Sequence, residues 1–165
     1  MEESVFDQLD LRLLAELQRD ASRSNQALAE SLGISPATSL RRVRRLVELG
    51  VIERQVALLQ PDRLAAVLGH GLTALVEVSL DRQGQEPLDA FEARAVADAA
   101  VQQCWRVSPG PDFMLVVAVR DMPGYQALAQ RLFTQDANVR NVRAFFSLKR
   151  AKFEPAQPLP ERWRG

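Results

Sequence analysis

The sequence has one cysteine, Cys104, and one histidine, His70. A lone cysteine builds no disulfide framework, and a lone Cys/His pair falls short of a zinc ligand set or a thiol–imidazole nucleophile. Paired carboxylates and a phosphate-cradling glycine loop are missing as well, so no enzyme is expected. No run approaches the 18 or so apolar residues of a membrane span, and Met1–Asp10 lacks the basic-then-apolar pattern of a secretory leader. A cytoplasmic protein without a membrane partner follows. Net charge is absent too, with 21 basic against 21 acidic side chains, so the overall field gives no sign of a polyanionic partner.

What is present is ordinary globular material: 165 residues, 47% hydrophobic and 25% charged, enough for one or two small domains. Cys104 reads as a small core residue. Leu9, Leu13, Leu14 and Leu17 recur at helical spacing behind Asp7 and Asp10, acids that suit a helix start, which predicts a helix over Asp7–Arg19. Ala27, Leu28 and Leu32 predict a short second helix stopped by Gly33. Ser35-Pro36 opens a third, since serine caps free N–H groups and proline is pre-set for the first helical position. It runs to Leu49 with Gly50 as its stop. Val51–Leu58 alternates in part and reads as an extended segment.

Leu59–Leu68, with Pro61, is the linker candidate. Beyond it the pattern gives a strand at Leu72–Leu80, a helix at Pro87–Ala97, strands at Val101–Val107 and Phe113–Val119, a helix at Pro123–Phe133 and a strand at Val139–Leu148. This β-α-β-β-α-β order belongs to the ferredoxin-like split βαβ motif, an antiparallel sheet with both helices on one face. Its other face would stay exposed in a monomer, which predicts a partner. The tail 153–165 is expected to be extended or loosely docked.

Charge is neutral overall but not locally. Arg41, Arg42, Arg44 and Arg45 fall in five residues, and no acid occurs between Glu30 and Glu48. A merely solvated face usually interleaves acids at i, i+4, whereas the second helix of a helix-turn-helix enters the major groove with its first turns toward the bases. At about 100° per residue, Leu40, Val43, Leu46 and Val47 form the expected packing arc. Thr38, Arg41 and Arg45 then point outward, with Arg42 and Arg44 on the flanks. The candidate interface is Ser35, Ala37, Thr38, Ser39, Arg41, Arg42, Arg44 and Arg45. Within it, Ala37, Thr38, Ser39 and Arg42 are placed for base edges and Arg41, Arg44 and Arg45 for phosphates.

These residues carry a resemblance. Leu9-Asp10, Leu13-Leu14, Leu28-Ala29, the block Ile34-Ser35-Pro36 with Leu40-Arg41-Arg42-Val43-Arg44-Arg45-Leu46, and Gly50-Val51-Ile52 are similar to the Lrp/AsnC (feast/famine) regulators. Cys104, Val107-Ser108, Asp112-Phe113, Tyr125, Val139 and Lys152 extend the likeness along nearly the whole chain. The resemblance implies an α+β chain: an N-terminal winged helix-turn-helix (1–58), a linker (59–68), a C-terminal ferredoxin-like βαββαβ domain of RAM type (69–152) and a tail (153–165). It also implies transcriptional control of amino-acid metabolism or transport, and double-stranded DNA with a two-fold symmetric operator as partner. A homodimer formed through the sheet, assembling further into tetramers or octamers, and an amino-acid effector without any cofactor complete the picture.

In the family, a Gly-x-x-Asp turn between the second and third strands holds the effector's charged groups. Here the turn reads Val107-Ser108-Pro109-Gly110-Pro111-Asp112-Phe113, with Pro109 at the glycine position, and the two prolines remove two N–H donors. The family's Thr-x-Thr on the last strand is Val142-Arg143-Ala144, so both hydroxyls are gone. The effector residues implied are Ser108, Gly110, Asp112, Ala144 and Phe146; the same turn reads equally as a structural corner. Trp105, Phe145 and Phe146 suit an interface or core as well as a ligand. The competing function is an oligomeric sensory or assembly module with no operator of its own.

Overall fold

The computed structural model describes residues 6–69 and 71–160. It divides into two compact units, 1–58 with 152–165, and 59–151. His70 and the tail's last five residues lie outside the described residues.

The first unit holds α1 (Gln8–Arg19), α2 (Asn25–Leu32) and α3 (Pro36–Glu48). Each start is fixed by a side-chain cap. Asp7 accepts the Asp10 N–H at 2.9 Å while Asp10 accepts the Asp7 N–H at 3.1 Å, a reciprocal box that satisfies two open donors. Ser24 caps α2, and Ser35 accepts the Thr38 N–H at 3.1 Å ahead of Pro36. Gly33 ends α2 at φ 67°, a left-handed conformation that only glycine takes without steric cost, and the chain turns there into α3. Asn25 Nδ2 donates to the Pro36 carbonyl at 2.8 Å and ties the two helix starts together. Leu13, Leu28, Leu32 and Leu46 form the buried centre, with Leu9, Leu17, Val43 and Ile52 packed around it. Burial of each leucine contributes about 1.5–3 kcal/mol.

Residues 51–60 form neither helix nor strand. The alternation over Val51–Leu58 meets no partner strand among the described residues, and Val56 and Leu58 are exposed. At the far end of the chain Gln157 docks on α1: its N–H donates to Gln18 Oε1 at 2.6 Å, and Gln18 Nε2 donates to its carbonyl at 3.2 Å.

The second unit begins with α4 (Pro61–Leu68), so the stretch expected as a linker is largely helical. Pro61 there opens a helix rather than breaking one. Then follow β1 (Leu72–Leu80), α5 (Gln85–Ala97), β2 (Val101–Arg106), β3 (Phe113–Val119), α6 (Met122–Ala129) and β4 (Val139–Phe146). A π-helical turn, Gln130–Thr134, extends α6, over the end of the single helix expected at Pro123–Phe133. The sheet order is β2-β3-β1-β4 with antiparallel neighbours. Both βαβ units are therefore split, which is the ferredoxin-like arrangement.

Period-2 alternation sorts the two sheet faces. Ala74, Val76, Val78 and Leu80 of β1 and Phe113, Leu115 and Val117 of β3 are buried with Phe91 and Ala95 of α5 and Leu128 of α6. Cys104, opposite Leu115, packs against this core, and burial followed by the Glu92 charge pushes its thiol pKa up. It is the small core residue expected. Positions of opposite parity carry Leu75, Trp105 and Phe145, exposed at 43%, 59% and 45%.

Candidate functional site

Two polar or charged side chains of α3, Ser39 and Arg42, are turned toward the domain rather than away from it. Ser39 and Leu46 are fully buried, and Val43 and Arg42 are half-buried beside them. The outward face opposite is Ala37, Arg41 and Arg44. Relative to the expected phase, the helix is turned by about 70° at about 100° per residue. Leu40 and Val47, placed in the packing arc from the sequence, are 41% and 50% exposed. Ser39, placed at base edges, has no exposed surface and cannot touch DNA in this conformation.

The cause is a carboxylate on α1. Asp10 is 1% exposed, and a charge that deep must be paired. Arg42 Nη1 donates to Asp10 Oδ1 at 2.8 Å and lies 2.7 Å from Asp7 Oδ2, while Arg45 Nη1 donates to Asp10 Oδ2 at 3.2 Å. Asp10 therefore closes the α1 capping box and binds two arginines of α3 at once. Arg42 is consumed in this clamp: it is held against two acids instead of reaching for a base edge, and its Nε is buried without a partner.

The pKa shifts agree with the geometry. For Asp7, desolvation raises the carboxyl pKa, but the Asp10 N–H and the Arg42 guanidinium together outweigh it and hold it below the ordinary value. The hydrogen bond to Asp10 raises the Arg42 pKa, against desolvation. A cleft of about 240 Å³ lined by Asp7, Arg41, Arg42 and Arg45 opens beside the clamp.

The interface residues expected from sequence thus separate into groups. Ala37, Arg41 and Arg44 share the exposed face. Arg45, with 46% of its side chain exposed, reaches both Asp10 and solvent. Thr38 is half-buried, its Oγ1 2.8 Å from Ser35 Oγ, so this pair shapes the helix start. Asp7 and Asp10 belong to the site, although in the sequence an acid pair three residues apart at a helix start signals only a favourable interaction with the helix dipole.

The effector residues are divided as well. Ser108 and Gly110 are exposed on the turn, and the Ser108–Pro109 peptide is cis. Asp112 Oδ2 accepts the Leu80 N–H at 2.7 Å and the Gln83 amide at 3.4 Å, and the Asp112 N–H donates to the Val78 carbonyl at 2.9 Å. Asp112 is therefore a corner that fixes the end of β1. Ala144 instead lines a groove of about 380 Å³ between α6, the π-turn and β4, with Tyr125, Thr134, Arg140, Asn141 and Val142. Phe146 packs edge-on against Tyr125, ring centroids 5.0 Å apart. Within the chain, Ser108, Gly110 and Asp112 do not line that groove.

Comparison with known proteins places this architecture. Residues 6–53 match the winged helix-turn-helix DNA-binding family and residues 73–157 the Lrp/AsnC ligand binding domain. The chain is 37% identical over 147 residues to a leucine-responsive regulatory protein of Rhizobium meliloti, covering 89% of this chain and 92% of that one. An AsnC family transcriptional regulator from Agrobacterium tumefaciens superposes with a TM-score of 0.80 at 29% identity, over 93% of this chain and 97% of its own. A transcriptional regulator from Neisseria meningitidis, solved as its complex with L-methionine, gives 0.79 at 25% identity, over 93% and 96%. Family matches, relatives and solved structures agree, and the chain belongs to the Lrp/AsnC family of DNA-binding transcriptional regulators, which are not enzymes.

Proposed function

We propose that the protein binds a two-fold symmetric operator as a homodimer, with Arg41 and Arg44 as principal contacts and Ala37, Thr38 and Arg45 beside them. The observation that carries this reading is the exposed Ala37-Arg41-Arg44 face on the second helix of the helix-turn-helix. Arg42 acts indirectly, by fixing that helix to α1 through Asp10. Ser35 contributes the cap. Mobility shift on the DNA upstream of the protein's own gene, repeated across salt concentrations, tests the reading. Each phosphate neutralised adds about −0.9 to the log–log salt slope, and an assembly module without an operator gives no salt-sensitive complex.

The dimer is proposed to form through the sheet face bearing Leu75, Trp105 and Phe145, whose exposure supports it. Sedimentation of the wild type and of Trp105→Glu measures this. A dimer in the first and dissociation in the second is the expected result.

A small metabolite of the amino-acid class is the proposed modulator, with genes of amino-acid metabolism or transport as targets. The L-methionine complex of the Neisseria relative supports the class. Arg140 and Asn141 offer donors to a carboxylate beside an apolar wall of Val142 and Ala144. Because both family hydroxyls are missing, the preferred side chain should differ from that of relatives which keep them. Thermal-shift screening of the twenty amino acids at millimolar concentration identifies it, and a flat response across all twenty contradicts the proposal.

A further inference from the structure

Leu40 is a large apolar side chain on the outward half of α3, followed by Arg41 and one turn before Arg44. It is 41% exposed and is not among the residues packed on the helix-turn-helix core. One turn earlier on the same flank lies Ala37; Arg44 continues the strip one turn later, and Arg41 lies beside it on the solvent side. Val47 continues the flank at 50% exposure, but it sits in the last turns of the helix. In a helix-turn-helix the first turns of the second helix reach the base edges. The major groove offers one apolar feature to such a strip, the thymine C5-methyl group, and apolar side chains read it by contact.

We infer that Leu40, supported by Ala37, is a specificity-determining residue that selects thymine by packing on its methyl group, while Arg41 and Arg44 hold the helix in the groove. The inference rests on the DNA-binding reading above. The Asp10 clamp sets the phase of α3 that leaves Leu40 exposed beside Arg41 and Arg44. The arginines give affinity for any duplex, and Leu40 restricts which duplex is held best.

The test uses the full chain and a duplex selected by it from a random-sequence library. Each thymine is replaced singly by uracil, which removes the methyl and leaves the hydrogen-bonding edge intact. Burial of one methyl group corresponds to about a fourfold change in affinity. The expected result is one or two thymines per half-site at which uracil weakens wild-type binding about fourfold, with the difference abolished in Leu40→Ala and in Leu40→Gln. Both variants change an exposed position, and circular dichroism confirms their fold. A specific complex in which no thymine responds to uracil overturns the inference and leaves DNA binding intact. The same holds if the response is equal in wild type and both variants, or if Leu40→Ala weakens thymine and uracil duplexes alike, as a protein-contact role would. If no duplex gives a salt-sensitive complex, the DNA-binding reading fails and this inference falls with it.

Discussion

Arg42 Nη1 stands 2.8 Å from Asp10 Oδ1, and Asp10 is 1% exposed. The second helix of the helix-turn-helix is thus fixed to α1 by a charge shut away from water. Breaking one partner of such a pair costs about 3–5 kcal/mol, because the remaining charge is left uncompensated. Arg42 and Arg45 retain some solvent, so Asp10→Asn is expected at the lower end, about 3 kcal/mol in urea unfolding. Arg42→Ala is expected to lower stability together with DNA affinity, because it strands Asp10. An Arg42→Ala protein with wild-type stability and weakened binding would instead make Arg42 a direct DNA contact.

Acid should weaken the same clamp from its outer side. The Asp7 carboxyl titrates below its ordinary value of 3.8, so its contribution is complete above that value and is lost as pH falls through the lower, folded pKa. Asp7→Asn keeps a capping side chain but not the charge. Wild type is expected to exceed Asp7→Asn in urea midpoint at pH 5, and the gap is expected to narrow at pH 3. A gap of equal size at both pH values would show that the charge is not what stabilises.

Ser39 gives a prediction of opposite sign. Its hydroxyl is fully buried and makes no hydrogen bond, and an unsatisfied buried group costs about 1–3 kcal/mol. Ser39→Ala removes the hydroxyl and adds helix propensity. A gain of about 1 kcal/mol in thermal or urea unfolding, with DNA affinity unchanged, is expected. Lost affinity at unchanged stability would return Ser39 to the contact surface.

Periodicity made much of the fold legible, and its failures are instructive. Ala74, Val76, Val78 and Leu80 alternate on β1, and the βαββαβ order follows from such strands and the helices between them. In α3 hydrophobicity alone puts Leu40 and Val47 in the inward arc. The actual arc admits Ser39 and Arg42: serine is small enough for close helix contact, and Arg42 meets a buried acid on another helix. No pattern within α3 encodes that acid. Pro61 misled in a simpler way, since a proline that opens a helix and one that interrupts a linker look alike in sequence. Asp112 showed its residue type but not its partner, the Leu80 N–H supplied by a strand 32 residues away.

The central claim, that the exposed Arg41 and Arg44 face of α3 binds DNA, is tested most directly by the salt dependence of operator affinity in Arg41→Ala and Arg44→Ala, measured by fluorescence anisotropy. Each arginine that neutralises one phosphate should take about 0.9 from the magnitude of the log–log slope when removed, with the fold unchanged by circular dichroism. Slopes and affinities identical to wild type in both variants would contradict the account.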